Sequence, residues 1–100
     1  MGHGINMVIA SMVKTKNDII ELKTFLASQN AGNMKVFAKI ETEEALKNIE
    51  SIVEISDGVI LMFDKIAEAM KAKKIEERTL IKKCKINGKP VVVTFVGSWN

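Results

Sequence analysis

The feature that most constrains this chain is the spacing of four short apolar runs, Met7–Val13, Val36–Thr42, Val59–Phe63 and Val91–Val96, with a helix-sized stretch between each pair. Apolar runs of this length, bounded by turn residues, are expected to be strands covered on both faces, as parallel strands are. One helical unit between successive strands gives the order β-α-β-α-β-α-β. That order requires a parallel sheet joined by right-handed crossovers. One hundred residues suffice for one such unit, so residues 1–100 are expected to form a single α/β domain.

The connecting segments carry helix signals. Thr15 and Asp18 stand three apart, as in a capping box, and Ile19, Leu22 and Leu26, with Phe25 alongside, fall at helical spacing. Gly32 is the expected left-handed stop. Thr42-Glu43-Glu44 opens a second helix with a capping hydroxyl and two acids where the helix dipole favours them, and Leu46, Ile49 and Ile52 or Val53 form its apolar stripe. A tight turn is expected at Ser56-Asp57-Gly58. A third helix is expected from Ile66 to Lys85, although Met70, Ile75, Leu80, Ile81 and Cys84 do not share one clean face. Asn87-Gly88-Lys89-Pro90 turns into the last strand, with Pro where a missing N–H is tolerated.

The second strand holds the candidate chemistry. Side chains two apart on a strand share a face, so Lys39 and Glu41 project to one side at its C-terminal end, where α/β folds keep their sites. A lysine and a glutamate there can balance phosphoryl charge and offer hard oxygen ligands to a divalent metal. An ordinary surface ion pair has the same spacing. Asp64 sits where the third strand is expected to end.

Other function classes have little to stand on. A net charge of +3 falls short of a dedicated nucleic-acid face, and the basic stretch Lys71 to Lys85 lacks interleaved aromatics, so it is expected to be a solvated helix face. A lone Cys84 forms no internal disulfide and no Cys/His cluster suits zinc, which fits a cytoplasmic chain. Neither a signal core nor a membrane-length apolar run is present. The single His3 lies between glycines with nothing nearby to orient its ring. The six methionines are expected to fill gaps in the core, and Trp99 is either an interface anchor or a packed terminus. There is no Gly-rich phosphate loop, serine elbow or dinucleotide fingerprint.

Four segments in order resemble the catalytic barrel of the pyruvate kinase family. Gly4-Ile5-Asn6-Met7-Val8-Ile9-Ala10-Ser11-Met12-Val13-Lys14 is similar to its strand running into Ser-Phe-Val-Arg, and Met34 to Glu41 to its Ile-Lys-Ile-Ile-Ser-Lys-Ile-Glu strand. Ile55-Ser56-Asp57-Gly58-Val59-Ile60-Leu61 resembles Ala-Ser-Asp-Gly-Ile-Met-Val, and Lys83 to Val91 resembles Lys-Cys-Asn-x-Ala-Gly-Lys-Pro-Val. The resemblance implies roughly the fourth to seventh strands of an eight-stranded TIM-type barrel. It also implies that Lys39 matches the family's active-site lysine and Glu41 a ligand of its magnesium ion.

The departures fall where that family keeps its chemistry. In place of Ala-Arg-Gly-Asp-Leu-Gly the chain has Met62-Phe63-Asp64-Lys65-Ile66-Ala67, and alignment of both flanks needs about two residues deleted. Asp64 replaces the metal-binding aspartate only if that gap falls just before it; otherwise Lys65 takes the position. The family's active-site threonine after the last strand is shifted or lost at Thr94-Phe95-Val96-Gly97. A complete barrel takes about 250 residues, so this chain holds only part of one. It is expected to be a fragment or engineered descendant of the barrel, a structural domain without turnover, with a truncated piece keeping a partial magnesium and phosphoenolpyruvate site as the alternative and a basic-helix binding module behind both. The sheet is expected either to remain a TIM-barrel fragment or to rearrange into an open three-layer sheet, and its exposed strand edges permit a homodimer.

Overall fold

The computed structural model describes residues 6–94. The elements run β1 (Met7–Ala10), α1 (Lys16–Ser28), β2 (Lys35–Ile40), α2 (Glu43–Lys47), α3 (Ile49–Ile55), β3 (Gly58–Met62), α4 (Phe63–Ala72), α5 (Glu77–Lys85) and β4 (Val91–Thr94). His3, Trp99, the Phe95–Val96 end of the expected fourth strand and the beginning of the first matching segment at Gly4-Ile5 lie outside the described residues.

The four strands pair in parallel in the order β1-β2-β3-β4. Right-handed crossovers between sequential neighbours place every helix on the same side, and the burial pattern agrees. On that side Val36, Ala38, Ile40, Val59 and Leu61 are fully buried beneath Ile19, Ile52, Val53, Ile66 and Leu80. Along β2 the pattern alternates, with Phe37 and Lys39 only half-buried on the opposite face. Of the two expected arrangements the sheet therefore takes the barrel fragment, with helices on one face only, and not the three-layer sheet.

One face of the sheet is bare, which corrects the expectation that the first and third strands are covered on both faces. Met7 and Ile9 remain 43% and 47% exposed, and Met12, beyond the strand, more so. The methionines are corrected with them: Met70 alone among the described ones is buried, while Met7 and Met62 lie on the bare face. Phe25 likewise points out from α1 to solvent.

The helices are more broken than the apolar pattern suggests. The second is interrupted at Asn48, whose side-chain amide donates to the Lys14 carbonyl at 3.0 Å. The expected single helix from Ile66 to Lys85 is two, parted where Lys74 takes a left-handed φ of 57°. The break rotates α5 so that Leu80 and Cys84 reach the core, which explains the missing common face. Burial pushes the Cys84 thiol up to about 11. At the end of α1 the left-handed position belongs to Asn30, φ 60°, and not to Gly32. Asn tolerates that conformation better than other non-glycine residues.

Two side chains in the turns hold the layers together. The Asp57 carboxylate accepts from the Val36 N–H at 2.8 Å, while the Asp57 N–H donates to the Val36 carbonyl at 2.9 Å, so the turn into β3 is clipped to β2. Lys23 of α1 lies 3.5 Å from the same carboxylate. Lys89 donates to the Val53 and Glu54 carbonyls at 2.9 and 2.5 Å, satisfying the C-terminal end of α3 with a cation where the helix dipole is negative. Replacing Lys89 by Met is expected to lower unfolding free energy by about 1 kcal/mol in urea titration, with the secondary structure retained.

Partial burial tends to raise the Asp57 pKa, but the Val36 N–H and the neighbouring Lys23 outweigh it and hold the carboxyl below the usual aspartate value. A depressed folded-state pKa gives stability that is fully present above the unfolded value of about 3.9 and is lost as pH falls through the folded one. The wild-type chain is therefore expected to lose stability below about pH 4 more steeply than Asp57→Asn, whose urea midpoint is lower at neutral pH. Equal slopes for the two chains would show that the clip contributes nothing.

Candidate functional site

β2 delivers the candidate residues. Lys39 is its fifth residue, half-buried on the bare face, level with Ile60 of β3. Glu41 follows the last strand residue, and Thr42 caps α2 by accepting from the Ala45 N–H at 3.1 Å. The alternation that buries Val36, Ala38 and Ile40 against the helices leaves Lys39 no other direction than the uncovered side. Both residues thus stand at the C-terminal edge of the sheet, as the spacing predicts.

Glu41 has a second attachment that the sequence did not disclose. Its Oε2 accepts from the Met12 N–H at 2.9 Å, across 29 residues of chain. Met12 has a φ of 59°, a conformation uncommon for a residue with a side chain, and its N–H is turned toward the end of β2. The carboxylate therefore ties the loop after β1 to the loop after β2.

Asp64 lies just past the end of β3, near where the strand is expected to end, but on a helix. β3 ends at Met62, and Asp64 is an exposed residue in the first turn of α4, followed by an equally exposed Lys65. Its carboxylate sits where the helix dipole favours negative charge. Thr94 ends the described part of β4 level with Met62, and its hydroxyl donates to the Met62 sulfur at 3.2 Å.

A magnesium ion takes one or two carboxylates together with substrate phosphate and water oxygens. Glu41 supplies one carboxylate, already engaged through Oε2. No three His, Cys, Asp or Glu side chains gather into a ligand set among the described residues. The donors present match one corner of such a site and do not compose it. A cleft of about 730 Å³ lined by residues of α2, α3 and α5 and bordered by Lys47, Glu50, Lys74 and Lys83 lies in the helical layer away from Lys39.

The family model for the pyruvate kinase barrel domain matches residues 1–96. The chain belongs to the pyruvate kinase family. It is 35% identical over 92 residues to the pyruvate kinase of Lactobacillus delbrueckii subsp. bulgaricus, covering 90% of this chain and 16% of that protein. It is 36% identical over 92 residues to the Mycoplasma pneumoniae enzyme, covering 90% of this chain and 18% of the other, and 33% identical over 91 residues to that of Bacillus licheniformis. The chain thus spans less than a fifth of the length of these relatives. No helix among the described residues is long and apolar enough to cross a membrane.

Asp57 and Lys89 went unread as side chains, although both fall in matching segments, Ser-Asp-Gly and Gly-Lys-Pro. Their partners lie 21 and 36 residues away, so the local pattern shows only turns. Replacing Glu41 by Ala is expected to speed hydrogen exchange at the Met12 amide severalfold and to cost no more than about 1 kcal/mol of stability, since the bond is solvent-exposed. Glu41→Gln keeps an acceptor oxygen and is expected to preserve the protection; equal exchange in both variants would detach the two loops.

Proposed function

We propose that the chain is the section of a pyruvate kinase barrel that carries the lysine and one carboxylate of the phosphoenolpyruvate site, and that alone it is a structural domain without turnover. The parent reaction moves a phosphoryl group from phosphoenolpyruvate to ADP. Catalysis of that kind rests on positioning and on charges held in a water-excluded site. One observation carries the reading: Lys39 and Glu41 keep the strand-end placement, while among the described residues no ligand set gathers and the face bearing Lys39 is uncovered. A lysine exposed on one side to water lacks the low-dielectric surroundings in which its charge would stabilise an enolate or a transferring phosphoryl group.

The strand-end placement itself favours a second reading, in which a partial magnesium and phosphoenolpyruvate site survives. Lys39 and Glu41 stand two residues apart at the C-terminal end of β2, although one Glu41 oxygen is taken by the Met12 N–H. Asp64 stays part of that reading only if the chain ahead of it shifts, since α4 holds it in an exposed first turn. Cytoplasmic residence accords with either reading, given a single buried thiol.

The two are separated by assaying pyruvate formation from phosphoenolpyruvate and ADP and by following amide NMR shifts as magnesium and phosphoenolpyruvate are added. The expected result is no pyruvate above the level of Lys39→Met, and a dispersed spectrum unmoved by either addition. Saturable shifts at the ends of β1 and β2 that both Lys39→Met and Glu41→Gln abolish would establish the partial site instead.

A further inference from the structure

The bare face and the two free strand edges point to one occupant. Met7, Ile9, Phe37, Ile60, Met62 and Val92 form an apolar surface across all four strands, interrupted only on β2 by Lys35 and Lys39, with Val92 on the last strand 45% exposed. The Phe37 ring lies over Gly58, where an added Cβ would come within 2.5 Å of it, so the ring closes the centre of the sheet and leaves its flanks open. Exposed apolar area of this extent marks an interaction surface. The unpaired N–H and C=O groups of β1 and β4 add two edges able to pair.

Four further parallel strands would complete an eight-stranded barrel over this face. A second copy supplies four strands at once.

The strand register shows that two copies fit. β2 starts level with β1, Met7 facing Lys35; β3 starts opposite Phe37, two residues further along; β4 starts opposite Val59, one residue further again. The strands climb three residues over three steps. A closed barrel of eight strands with a shear of eight needs an average climb of about one residue per strand. One further residue of climb beyond β4 sets Met7 of a second copy beside Val92, and Ile9 beside Thr94. Both members of each pair lie on the bare face, which is the parity that pairing demands, because a slip of one residue would turn one of them outward. The same step at the other edge completes eight strands around a two-fold axis along the barrel. The mouth of such a barrel holds two Lys39 and two Glu41, while the Lys35 of each copy lies at the opposite end, where its ammonium can stay in water.

We propose that two copies of this chain associate face to face as half-barrels, β4 of each pairing in parallel with β1 of the other and Val92 opposite the second copy's Met7. This goes beyond the proposed function and does not depend on whether phosphoenolpyruvate binds.

Sedimentation velocity of the 100-residue chain, from micromolar to hundreds of micromolar, is expected to give twice the 11.1 kDa chain mass. Ile60→Lys, a charge at the centre of the bare face, is expected to give a folded monomer by circular dichroism, while Lys82→Glu on the outer side of α5 leaves the dimer intact. Register is tested with a chain carrying both Met7→Cys and Val92→Cys. Within one copy these positions are three strand spacings apart, about 14 Å, and four residues offset along the strands besides, well beyond the Cα separation of about 4.4–6.8 Å that a disulfide spans. Mild oxidation is therefore expected to yield a covalent dimer, and the pair Met7→Cys with Val93→Cys, whose side chains face opposite ways, to yield at least tenfold less. A folded wild-type monomer across the concentration range overturns the proposal. So does a dimer that fails to cross-link through Met7 and Val92, whatever becomes of Ile60→Lys.

Discussion

The alternation along Lys35–Ile40 is the constraint from which the rest of this structure follows. Val36, Ala38 and Ile40 are taken out of water by α1, α3 and their neighbours, and each such side chain contributes roughly 1.5–3 kcal/mol by burial. That gain fixes the orientation of the strand, because a slip by one residue would expose all three at once and bury Lys35 and Lys39. The direction of Lys39 is thus set by hydrophobic packing behind it and not by any partner in front. Placement of a charged residue at the sheet edge costs the fold little as long as that side remains wet.

The same logic explains what was legible in the sequence and what was not. Strand and helix order follows from local periodicity, and the position of Lys39 and Glu41 follows from period two. What covers the other face does not. Met7, Ile9, Ile60 and Val92 are apolar because a barrel interior is apolar, and in one dimension this looks identical to a strand buried between two helical layers. The helix breaks at Asn48 and Lys74 are set by tertiary demands, the reach of Asn48 to the Lys14 carbonyl and the docking of Leu80 and Cys84, which no local stripe contains. Asn30 displaces Gly32 as the left-handed residue because the helix ends two positions earlier than the glycine suggests.

Segments shared with pyruvate kinases divide by what their side chains do here. Asp57 clips β3 to β2, Lys89 finishes α3, and Gly58 leaves room for the Phe37 ring. These are requirements of the wall itself. The segment that departs most, Met62 to Ala67, passes straight from β3 into α4, so no loop remains at that strand end to present a backbone or a carboxylate toward Lys39. The helix begins there directly, with Phe63 buried in the core as its first residue. A barrel enzyme carries its specificity in such loops and its stability in the opposite end, and the retained contacts are those of the stable end.

Glu41 belongs to both categories. In the resemblance it is a metal ligand, yet here its carboxylate holds the Met12 N–H and with it the left-handed turn that follows β1. A non-glycine residue at positive φ costs on the order of 1 kcal/mol or more and persists only where its surroundings hold it. The bond from Glu41 is one such hold. A glutamate that braces the loop after β1 has a structural reason to stand there whether or not a metal binds, so its presence is weaker support for a working site than that of Lys39. Lys39 makes no comparable structural contact among the hydrogen bonds and ion pairs of the described residues, so its direction rests on the packing of Val36, Ala38 and Ile40 behind it alone.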